Sequence, residues 1–172
     1  MRLRLAIVSA CTLAGWVWLA LQDPLPVIRI TTPLAETSPF WYMLLAFPIL
    51  GLLVADLFDL YRSEGISRST VELGVQITLI VLLSSARLSV RLPLSGHSLL
   101  VSYFIARRLL LPSFPRGRSR VELWLGLGVM VAIVYPKLFW WSDPVTLLTG
   151  MALGAALAVV SRWTTRSRQV PV

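Results

Sequence analysis

His97 is the only histidine in the chain. It stands in the string Leu94-Ser95-Gly96-His97-Ser98, where an apolar run begins, with Arg87 and Arg91 just upstream. An imidazole titrates near neutrality and can pass a proton to a leaving oxygen. Ser95 can cap a helix, Gly96 lets backbone N–H groups approach a ligand, and a helix start favours anions. Two guanidinium forks add charge-assisted hydrogen bonds. Together these residue types suit a phosphate group. The plainer reading is that Ser95 caps a helix, His97 faces interfacial water and both arginines reach lipid headgroups.

A second group lies in the loop Pro136–Asp143. Asp143 follows Ser142 and precedes Pro144, which reads equally as a helix start with an Asp cap and Pro in the first turn. Lys137 either reaches toward headgroups or adds a cation to the site. Trp140 and Trp141 are simplest as interface anchors.

Composition sets the frame for both groups. The chain is 56% hydrophobic and only 14% charged, against about 25% charged for a soluble domain. Mean hydropathy is +0.76 and the isoelectric point is near 11.0. A net charge of +8 raises nucleic acid as a partner, but the cations are dispersed between apolar runs rather than gathered on one face. Nucleic acid is therefore excluded, and membrane lipids are the expected surroundings. Cys11 is the only cysteine, so there is no internal disulfide and no cysteine metal cluster. The string Val8-Ser9-Ala10-Cys11 resembles a lipoprotein cleavage box, but too short an apolar run precedes it. No metal or cofactor is expected.

The apolar runs predict six spans, at Leu5–Leu21, Phe40–Phe58, Thr70–Ser85, Ser95–Leu111, Val121–Tyr135 and Pro144–Val160. The expected fold is an all-α integral membrane bundle of six transmembrane helices, one domain over residues 1–172. With the N-terminus inside, twelve basic residues fall on inner segments and four (Arg29, Arg87, Arg91, Lys137) on outer ones. The positive-inside tendency then puts both termini in the cytoplasm, as in a multi-pass protein of a bacterial inner membrane. His97 and Asp143 share the outer face. Gly150 and Gly154 form a GxxxG element for close helix contact, expected mainly within the bundle, with Gly126 and Gly128 as a matching groove. Asp56, Asp59, Glu72 and Glu122 lie near inner helix ends and read as structural partners of Arg62, Arg68 or Arg120.

These features resemble the PAP2 family, the type 2 phosphatidic acid phosphatases. Its membrane members share a six-helix core and three signatures on one face: KxxxxxxRP, PSGH and SRxxxxxHxxxD. The family removes phosphate from lipid phosphates and polyprenyl diphosphates without a metal. Here Ser95, Gly96 and His97 match the second signature, with Leu94 in place of Pro. The stretch Tyr135–Gly150 is similar to the third, with Asp143 and Gly150 in register. The nucleophilic histidine position is Phe139, however, and the phosphate-binding arginine position is Ile133. In the first signature Leu92 separates Arg91 from Pro93, and no lysine stands upstream.

What the resemblance implies is a degenerate member. His97 would be the acid and Asp143 the orienting carboxylate. Arg87, Arg91, Ser95, Gly96 and Lys137 would hold phosphate. One imidazole does not fill both the nucleophile and acid roles. The expected function is binding of phospholipid or polyprenyl phosphate at the outer face, or service as a helical subunit among other membrane subunits. The alternatives are an active phosphatase with an atypical nucleophile, or a pigment- or cofactor-associated accessory subunit.

Overall fold

The computed structural model describes residues 2–22, 40–90, 94–110, 116–139 and 144–166, with side chains at some helix ends outside that set. Among the described residues the chain is helical throughout: α1 (Arg2–Gln22), α2 (Phe40–Glu64), α3 (Arg68–Val90), α4 (Gly96–Leu110), α5 (Arg116–Phe139) and α6 (Pro144–Arg166). Each begins or ends where the sequence changes from apolar to charged, Gly-containing or Pro-containing. The α2–α3 turn shows the local chemistry. Gly65 takes a φ of 67°, a conformation in which a side chain is strained. Its N–H donates to the Tyr61 carbonyl oxygen, closing α2 as helices commonly close. Ser67 then starts α3, its hydroxyl oxygen accepting the Thr70 N–H at 3.2 Å.

α4 is the central rod, and its packing directions define the bundle. Tyr103 donates its hydroxyl hydrogen to Gln76 of α3, and Gly96 lies against Ser84, so α3 and α4 are antiparallel. Gly126 of α5 meets Phe104 and Ile105 and Glu122 meets Arg108, which makes α5 antiparallel to α4 as well. On α6, Gly150 faces Ser95 and Ser98 while Gly154 faces Leu99 and Ser102, so α4 and α6 run parallel. α1 lies antiparallel to α2, with Gly15 against Phe47 and Gly51 against Val8. The apolar core gathers around α4, where Leu99, Val101, Tyr103 and Phe104 are fully buried beside Ile49, Leu53 and Ile133.

The expectation of six transmembrane helices is corrected. Among the described residues only Pro144–Arg162 of α6 is long and apolar enough to cross a membrane. The other helices form, but their apolar runs are too short or interrupted. α4 has 15 residues, about 22 Å at the α-helical rise, against a hydrocarbon core of about 30 Å. The apolar part of α1 is confined to Leu3–Val17. α2 meets Asp56 and Asp59, α3 contains Glu72 and Gln76, and α5 opens with three arginines and Glu122. The assignment of both termini to the cytoplasm rested on six crossings and falls with them. What remains is the alternating order of the helices.

Candidate functional site

The start of α4 is held from two sides. The Ser95 N–H donates to the Thr146 carbonyl oxygen of α6 at 3.0 Å. The Ser98 hydroxyl donates to Ser95 Oγ at 2.8 Å, and the same oxygen accepts the Ser98 N–H at 3.4 Å. Ser95, Gly96 and Ser98 are all buried. A Cβ on Gly96 would fall 2.7 Å from the Ser84 side chain. The glycine therefore admits α3, and the two hydroxyls are engaged with each other. Of the motif, His97 alone keeps partial exposure.

The remaining predicted site residues sort by helix position. Arg87 lies on the last turn of α3 and Lys137 on the last turn of α5. Both helices run antiparallel to α4, so both residues belong to the end of the bundle where α4 begins; their side chains lie outside the described set. Arg91 and Asp143 lie outside the described residues altogether. Gly150 and Gly154 pack on α4 rather than on the α5 glycines: a Cβ on Gly150 would clash with the Ser95 carbonyl oxygen, and one on Gly154 with the Leu99 carbonyl oxygen and Ser102 Oγ. Gly128 faces open space. Ile133, aligned with the phosphate-binding arginine position, is fully buried in the apolar core.

The opposite end of α4 holds a group that sequence reasoning read only as interfacial pairs. Arg108 meets Asp56 at 2.7 Å and Glu122 at 2.6 Å. Arg4 meets Asp56 at 2.5 Å, Asp59 at 2.9 Å and Glu122 at 2.8 Å. Arg4 and Arg108, which sequence reasoning did not name as partners, hold these acids; Arg68 does hold Glu72, at 3.0 Å. Asp56 is fully buried and Arg108 nearly so. Burial pushes the Asp56 carboxyl above the usual carboxylate range, although Arg108 and Arg4 pull the other way. Burial likewise lowers Arg108, with Asp56 and Glu122 opposing. Burial alone would lower Arg4 too, but the Asp56 and Glu122 carboxylates more than offset it. Arg107, also buried, lies beside Tyr103. Two guanidiniums, Arg4 and Arg108, thus meet three carboxylates, Asp56, Asp59 and Glu122, from α1, α2, α4 and α5. The one local signal was Arg4, a cation at the edge of the first apolar run.

Among the described residues no group of His, Cys, Asp and Glu has the arrangement of a metal site. Comparison with family models, with curated proteins and with solved structures finds no match. The class that the described residues define is an all-helical protein with, among those residues, one candidate membrane-spanning helix.

Proposed function

We propose that this chain is a membrane-associated, catalytically degenerate relative of the type 2 phosphatidic acid phosphatases. It binds the phosphate of a phospholipid or polyprenyl phosphate where α4 and α6 begin, in the cytoplasmic membrane of a bacterial cell. The observation that supports this reading is the Ser95–Thr146 backbone bond. It sets two parallel helix starts side by side, and each carries partial positive charge. Partly exposed His97 stands in the first turn of α4. Arg87 and Lys137 end the two antiparallel neighbours, and Arg91 and Asp143 adjoin the site in sequence. An anion held there meets oriented N–H groups and cations together. No nucleophile stands at Phe139, so the bound ester is retained rather than cleaved.

The test uses purified full-length chain in mild detergent with a short-chain phosphatidic acid, followed by phosphorus NMR. The expected result is saturable binding, weakened by His97→Ala and Arg91→Ala, with no release of inorganic phosphate. Absence of binding overturns the phosphate site. Phosphate release overturns the degenerate reading in favour of an active phosphatase.

A second reading, a helical subunit of a membrane assembly, is favoured by the apolar side chains left on the outside. Trp16, Val75, Leu82, Trp124, Val131 and Leu148 are all exposed, and surfaces of this kind mark contact with lipid or another chain. Other membrane chains that remain bound after mild extraction would support it.

A further inference from the structure

We infer that the end of the bundle remote from His97 is a cationic collar that docks on anionic lipid headgroups. This rests on the membrane association proposed above but concerns the opposite end of the helices. The alternating order brings the start of α1, the end of α2, the start of α3, the end of α4, the start of α5 and the end of α6 to that one end. The ion pairs from Arg4 to Asp59 and from Arg108 to Glu122 fix the level.

The ion-pair cluster sets two guanidiniums, Arg4 and Arg108, against three carboxylates, Asp56, Asp59 and Glu122, so it holds no surplus cation and the net positive charge of the chain lies elsewhere. Arg62, Arg68 and Arg120 are exposed around it, and Arg162 is partly so. Arg62 lies six residues beyond Asp56, about 9 Å further along the helix. Arg2, Arg116, Arg118 and Arg166 occupy terminal turns at the same end. Facing them among the described residues are Glu64, engaged by the Ser67 and Ser69 hydroxyls, and Glu72, held by Arg68. Cations therefore predominate.

What adjoins the cations selects the partner. Tyr61 beside Arg62, Val71 beside Arg68, Val121 and Trp124 beside Arg120, and Val159 and Val160 beside Arg162 are all exposed. A rim of cations bordering apolar and aromatic side chains matches a headgroup layer bordering acyl chains. A nucleic acid would instead meet polar surface and stacking aromatics along a groove. If α6 crosses the bilayer along Pro144–Arg162, about 27 Å of helix, Arg162 stands near headgroup level when Pro144 stands near the other surface.

The test mixes purified full-length chain in micelles with equal parts of phosphatidylglycerol and phosphatidylcholine, isolates the protein by gel filtration and quantifies retained lipid by mass spectrometry. Enrichment of phosphatidylglycerol, reduced about fivefold per cation removed in Arg62→Gln, Arg68→Gln, Arg120→Gln and Arg162→Gln, supports the collar. The corresponding Arg→Lys variants keep the enrichment, because charge rather than fork geometry carries it. They also separate loss of docking from loss of folding. Equal retention of both lipids overturns the collar and leaves membrane association standing. Retention of neither overturns both. Displacement of phosphatidylglycerol by transfer RNA overturns the lipid assignment in favour of nucleic acid.

Discussion

The backbone N–H of Ser95 donates to the backbone carbonyl oxygen of Thr146 at 3.0 Å, so α4 and α6 begin as one unit although about 50 residues separate them in sequence. Normally the first N–H groups of a helix look to a side chain or to water. Here a neighbouring helix takes that of the residue just before α4. Gly150 follows one turn later and lets the Ser95 carbonyl oxygen approach, and Gly154 repeats the contact at Leu99 and Ser102. The segment that resembles a phosphatase signature is thus also the joint between two helices.

The joint predicts a contrast between glycines. Gly154→Leu places a branched side chain where the Leu99 carbonyl oxygen and Ser102 already sit. Overpacking of this kind costs about 1–3 kcal/mol, and more here because backbone must move. A Cβ at Gly128 would meet nothing within 4 Å, so Gly128→Ala is expected to stabilise by about 0.5–1 kcal/mol through helix propensity. Thermal midpoints of the two variants in the same detergent check the opposite signs.

Arg108 and Asp56 predict an asymmetry. Arg108→Leu leaves the buried Asp56 carboxylate and Glu122 short of a cation, and breaking a buried pair costs about 3–5 kcal/mol. Asp56→Asn removes a charge that burial already disfavours and keeps the shape, so it costs clearly less. The double variant is expected to recover part of the Arg108→Leu loss. Denaturant midpoints of the four proteins measure the coupling, and equal losses in the two single variants would contradict the burial argument.

The same carboxyl sets a pH dependence. The Asp56 pKa is raised in the folded chain by burial, so the folded state holds this proton more tightly than the unfolded chain does. The stabilising contribution is fully present below the ordinary carboxylate range and is lost as pH rises through the raised value. Relative to Asp56→Asn, the wild-type protein therefore gains stability on acidification from neutrality. Thermal midpoints of the pair across that range check the sign; a constant difference contradicts it.

Helix positions are legible in the sequence because charged and helix-breaking residues punctuate the apolar runs. Phe40 and Pro144 start helices where the sequence places them. The number of crossings is not legible, because hydropathy averages over residues that are internally solvated. Asp56, Glu72 and Glu122 lie inside helices whose neighbours, or whose own next turn, supply their partners, and the helices run past the apolar segments. The partner of Arg4 is hidden for a different reason. Glu122 lies 118 residues away, and only the packing of α1, α2 and α5 brings the two together. Gly96 shows a third limit, since the letter that suits close phosphate approach equally suits close approach of Ser84.

Ser95 and His97 separate folding from binding in one short segment. Ser95 is fully buried, and its hydroxyl oxygen accepts from Ser98 twice. Ser95→Ala leaves the Ser98 hydroxyl without that acceptor and removes a helix cap, a loss of about 1–2 kcal/mol. His97 is only partly buried, so His97→Ala is expected to shift stability by less than about 1 kcal/mol. If the helix pair binds a phosphate ester, His97→Ala weakens that binding while the thermal midpoint holds, and Ser95→Ala lowers the midpoint first. A His97→Ala protein that melts early but binds the ester normally would make the imidazole a packing group and remove it from the site.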